Sequence, residues 1–160
     1  MLEKLSENLG LEELVQQAEA GVGEVDARID HLAATTYLVA KFAIEVAQFK
    51  IAEKLLLACI AVDEKIRGNL STKLARDKLL LATLYVRNRH PPSDGQKGFE
   101  KGRALLDDAQ NILTSDELSM SSEREDEDSA LGGVYHLLGL LDMFEWFASK
   151  AAAKLDSAIL

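Results

Sequence analysis

The chain has 160 residues, 48% of them hydrophobic, which suffices for one domain with a buried core and excludes a largely disordered chain. A formal charge of −9 argues against nucleic acid or an anionic membrane as the principal partner, since both would repel the molecule as a whole. Cys59 is the only cysteine, so an internal disulfide and a thiolate metal cluster are both excluded.

Aromatic residues make up 6% and prolines number two, while Ala, Leu, Glu and Lys abound, so an all-α fold is predicted. Residues 1–32 read as an N-terminal helical segment. Leu2, Leu5, Leu9, Leu11, Leu14 and Val15 share one face there, and Gly21 and Gly23 mark a break. The start is not that of a signal peptide, and apolar runs such as Lys78 to Val86 are shorter than the roughly 20 residues of a membrane span. A soluble, cytoplasmic protein is the expectation.

Residues 33–68 form the first expected helical hairpin. The apolar run from Thr36 to Ala47 predicts a helix buried on more than one side, at the centre of the fold. A second hairpin spans 71–113, with Ser71 or Thr72 as a cap. Pro91-Pro92-Ser93-Asp94-Gly95 forms the loop between its helices, because two prolines remove donors and Asp-Gly favours a turn. Residues 114–128 carry seven acids against one base and read as a mobile linker, with Thr114-x-x-Glu117 and Ser122-x-x-Glu125 as potential capping boxes. Residues 129–160 then form a third hairpin.

The hairpins share a register. Ala40 is followed by Ala52, Leu56 and Cys59 at the spacing that separates Gly139, Ala151, Leu155 and Ala158. A third copy reads Leu81-Ala82-x-x-Tyr85, then Phe99, Gly102, Leu106 and Ala109. This pattern of small and large residues resembles the tetratricopeptide-repeat (TPR) family, in a divergent form with long units like those of kinesin light chains. The resemblance covers residues 33–160. It implies an α-α superhelix of about three hairpins plus an N-terminal helix, with a concave groove lined by the first helix of each pair. Carried onto this chain, the groove residues are Tyr37, Lys41, Arg76, Thr83, Arg87, His136 and Leu140.

No chemistry competes with a binding role. His31, His90 and His136 lack the partner spacing of metal ligands, and the chain has no phosphate-binding glycine loop, so neither a metal, a cofactor nor a catalytic residue is assigned. Cys59 sits among Leu55, Leu56, Leu57 and Ile60 and reads as a buried packing thiol. Charge is segregated: residues 41–103 carry thirteen bases against seven acids, between an acidic N-terminal arm and the acidic segment before residue 129. The acidic segment is expected to screen the basic middle. The expected function is a non-enzymatic protein–protein adaptor or scaffold that holds a peptide or helix, including one with acidic residues, in its groove. The alternative is a chaperone for an aggregation-prone client. The last hairpin, lacking a polar cap, points to a homodimer or a longer parent chain.

Overall fold

A computed structural model describes residues 27–67, 71–115 and 124–159, with side chains described over 31–65, 71–115 and 129–151. The expected N-terminal helix before residue 27, residues 68–70 between the first two hairpins and most of the acidic linker lie outside the described residues. The described residues form five α-helices and no strand: α1 (Ala27–Glu45), α2 (Phe49–Arg67), α3 (Thr72–Val86), α4 (Gly98–Leu113) and α5 (Arg124–Ile159).

The α1–α2 connection is tight because Ala47 adopts φ +58°. This lets its N–H reach Ile44 O at 3.0 Å and the N–H of Gln48 reach Ala43 O at 2.8 Å. That pair of bonds closes the end of α1 in the manner of a Schellman turn, with alanine where glycine would be less strained. The chain then reverses, and Cys59 Sγ comes within 3.7 Å of Ala33 O across the pair. Ala40, Ala52, Leu56 and Cys59 are all buried, so the first copy of the small-and-large spacing marks a real helix contact.

In the second pair, Gly102 of α4 lies so near α3 that a Cβ there would stand 2.6 Å from Val86 Cγ2. Leu81, Ala82, Tyr85, Leu106 and Ala109 are buried with it, so the copy that begins at Leu81 also holds, except at Phe99, which is 39% exposed. Ser71 takes the N-cap position of α3 in extended conformation, though its side chain makes no capping hydrogen bond. The loop between α3 and α4 turns at Gly95, whose φ of +79° suits glycine, and its N–H reaches Pro92 O at 3.1 Å.

The helix at the centre is α3, which packs against each of the other four. Its buried residues include Leu74, Ala75, Leu81, Leu84, Tyr85 and Val86, which together occupy more than one face. The expectation that the 36–47 run would be central is therefore corrected. On α1, Leu38 is 64% and Phe42 56% exposed, because α1 stands at the edge of the described stack with neighbours on one side only. Contacts fix the directions of the helices. Tyr37 shares a pocket with Asp77 and Lys41 a groove with Thr83, while Leu79 meets Gly133 and Arg89 lies over Phe144, so α1, α3 and α5 run the same way. Helix α2 runs antiparallel across α1 and α3, and α4 across α3 and α5. Lys78, almost fully buried, ties three helices together through Glu64 at 3.3 Å and Asp108 at 3.2 Å.

The third hairpin is absent: residues 124–159 are one continuous helix. No glycine or proline occurs after Gly139, and Ser149, where a turn would begin, donates its hydroxyl to Trp146 O at 2.8 Å within the helix. A run of strong helix formers with no breaker continues as helix. The register of that copy fails with it, since a Cβ at Gly139 would meet nothing within 4 Å and Ala151 is exposed. The packing face is instead Ala130, Gly133, Val134, Leu137 and Leu141. The acidic stretch is shorter as a linker than expected, because Arg124 to Asp128 already belong to α5.

Candidate binding groove

Because α1, α3 and α5 lie side by side and α1 touches α3 only lightly, a groove opens over α3 with α1 on one wall and α5 on the other. It encloses about 390 Å³ and is lined by Tyr37, Lys41, Arg76, Leu79, Leu80, Thr83, Ser129 and Ala130. The floor is apolar, from Leu79, Leu80 and Ala130, and Lys41 and Arg76 place positive charge along it. Thr83 spends its hydroxyl on Leu79 O at 2.9 Å, so it presents a methyl and an oxygen lone pair rather than a donor. Burial raises the pKa of Tyr37, with the carboxylate of Asp77 adding to the effect, so its phenol remains a neutral hydrogen-bonding group.

Four of the seven residues assigned to the groove from sequence, Tyr37, Lys41, Arg76 and Thr83, are brought together there. The other three are not. Arg87 is exposed at the C-terminal cap of α3, with its N–H on Thr83 O at 2.9 Å. His136 is exposed on α5, and Leu140 packs against the core. The register of His136 and Leu140 was taken from a third hairpin that does not form, whereas Arg87 belongs to the second pair and stands just past the last residue of α3.

Tyr37 and Arg76 also line a second pocket of about 260 Å³, with Ala33, Ala34, Leu38, Asp63, Lys73 and Asp77. Asp63 is 2% exposed, and burial pushes its pKa up to about 6 despite the opposing charge of Lys73. Burial beside Asp77 and Asp63 likewise pushes the Cys59 thiol up, which leaves it protonated and unreactive, as its apolar neighbours suggested.

A third cluster was not anticipated. Glu53 of α2 is 1% exposed and accepts hydrogen bonds from Tyr85 Oη at 2.8 Å, Ser93 N at 2.8 Å, Ser93 Oγ and His90 Nε2 at 3.2 Å. Burial works against its charge, but the bonds from Ser93, Tyr85 and His90 outweigh it and lower its pKa. Serine, histidine and a carboxylate meet here, yet both the hydroxyl and the imidazole point at the carboxylate rather than at each other. No nucleophile is activated by that arrangement, and its effect is to fasten the Pro-Pro loop to α2. Glu53 and Ser93 are 40 residues apart, and no local pattern signals their meeting.

Among the described residues no group of three or more His, Cys, Asp or Glu side chains is placed to hold a metal ion, and no helix is long and apolar enough to cross a membrane. Comparison with protein-family models, with curated proteins and with solved structures finds no match to this chain.

Proposed function

We propose that this protein is a non-enzymatic adaptor that holds a segment of another protein in the groove between α1, α3 and α5, in a TPR-like stack of helices. The observation that carries the reading is the convergence of Tyr37, Lys41, Arg76 and Thr83 on one apolar-floored groove. Parallel first helices with antiparallel second helices astride them support the TPR-like arrangement, although the third unit is a single long helix. An apolar floor with cationic spots suits a partner helix or extended segment that carries leucine-type anchors and acidic residues.

Fluorescence anisotropy with amphipathic peptides tests this directly. An acidic, leucine-bearing peptide should saturate, and its lysine-substituted counterpart should not. Lys41→Glu should weaken binding by about tenfold, as expected when a close charge pair is reversed. Thr83→Trp should block the groove with little change in helix content. Affinity unchanged in both variants would move the site elsewhere. Suppression of client aggregation without saturable peptide binding would replace the adaptor with the chaperone reading.

A further inference from the structure

Helix α5 is roughly 54 Å long at 1.5 Å per residue, and its buried described residues, Ala130, Val134, Leu137 and Leu141, all lie in its first half. Arg103 holds Asp142 at 2.7 Å and Glu145 at 3.1 Å, and from Glu145 to Ala151 every residue is exposed. The outward side carries Tyr135, Met143, Trp146 and Phe147, each between 43% and 56% exposed. Trp146 and Phe147 meet edge to face at 4.9 Å, and Lys150 Nζ lies 4.3 Å over the indole. Tyr135, Gly139, Asp142, Trp146 and Lys150 recur at intervals of four, three, four and four, the spacing of a helix-pairing seam. Exposed aromatic residues along and beside such a seam, with Trp146 and Phe147 in contact, are the composition of an interface core rather than of ordinary surface.

We propose that α5 pairs with α5 of a second copy of this chain, antiparallel and crossing at Trp146. The charges on the seam select that occupant. Asp142 stands four residues before Trp146 and Lys150 four residues after it. A two-fold antiparallel crossing at Trp146 places Asp142 of each copy beside Lys150 of the other, whereas a parallel crossing sets like against like. An isologous interface requires this self-complementarity, and a foreign helix or a lipid surface does not. Asp142 remains available although Arg103 binds it, because its side chain is 68% exposed and a carboxylate accepts several hydrogen bonds. The pairing is independent of the groove, which opens between α1, α3 and the buried start of α5.

The test uses the full 160-residue chain, in which Trp146 is the only tryptophan and therefore the sole indole reporter. Sedimentation over a concentration series should show a monomer–dimer equilibrium, with Trp146 emission moving to shorter wavelength in step with the dimer. Trp146→Glu should be monomeric with unchanged circular dichroism. Asp142→Lys and Lys150→Glu should each weaken self-association by about tenfold, since each reverses two charge pairs. Their mixture should form a heterodimer at wild-type affinity, because both cross-pairs are again opposite in charge. Asp142→Lys also releases Arg103, so the mixture is the decisive measurement. A chain monomeric at all concentrations would overturn the proposal, as would a dimer that survives Trp146→Glu or a mixture that fails to associate. Emission that shifts only on adding phosphatidylserine-containing vesicles, with the chain monomeric, would overturn it in favour of a lipid surface.

Discussion

Glu53 shows how much one buried carboxylate can organise. Its donors come from α3 and from the Pro-Pro loop, so removing its charge leaves Tyr85, Ser93 and His90 facing an acceptor that no longer matches them. Glu53→Gln should destabilise the protein by about 1.5–3 kcal/mol, the range for hydrogen bonds to a charged group. Urea unfolding will measure the loss, and faster proteolysis within 91–97 should accompany it. Asp63 acts in the opposite sense. Its folded pKa, about 6, lies above its ordinary 3.8, so its contribution is present below pH 4 and is lost as pH rises through 6. Glu53, with its pKa below the ordinary 4.5, contributes above that pH and loses the contribution as pH falls through its lowered value. In unfolding experiments from pH 3 to pH 7, Asp63→Asn should abolish the decline between pH 4 and 6, and Glu53→Gln should flatten the acid limb.

At the scale of elements, glycines distinguish packed faces from open ones. Gly102 of α4 has no room for a methyl against Val86, and Gly102→Ala should cost about 1–3 kcal/mol through overpacking. Gly139 of α5 faces open space, and Gly139→Ala should stabilise by about 0.5–1 kcal/mol through helix propensity. Equal effects in denaturant titrations would contradict this assignment of faces. Sequence spacing had marked both glycines as close contacts. It succeeded at Gly102 because Val86 and Ala82 of α3 stand against it across two real helices. It failed at Gly139 because the second helix of that hairpin does not exist. The absence of any breaker after Gly139 was visible in the sequence and was the better guide, since continuing a helix adds a hydrogen bond for every residue fixed whereas a turn must give several up.

For the whole molecule, two surfaces are separated on the fold, a groove over α3 and the outward seam of α5. If each has the role proposed, Trp146→Glu should abolish self-association and leave peptide affinity in the groove within about twofold, the additivity expected of distant sites. Composition and periodicity determined that this chain is helical, where its first four described helices lie, and that Ala40, Ala52, Leu56, Ala82, Gly102 and Leu106 are packing positions. These properties follow from local propensity and from which side of a helix is apolar. Tertiary structure alone decided that α3 rather than α1 is central, that Glu53 meets a loop 40 residues away, and that Tyr37, Lys41, Arg76 and Thr83 share a groove while Arg87, His136 and Leu140 do not. An apolar stripe reports that a face prefers cover, but not which neighbour provides it. That choice depends on how helices far apart in sequence stack, and on α5 it leaves Trp146 exposed.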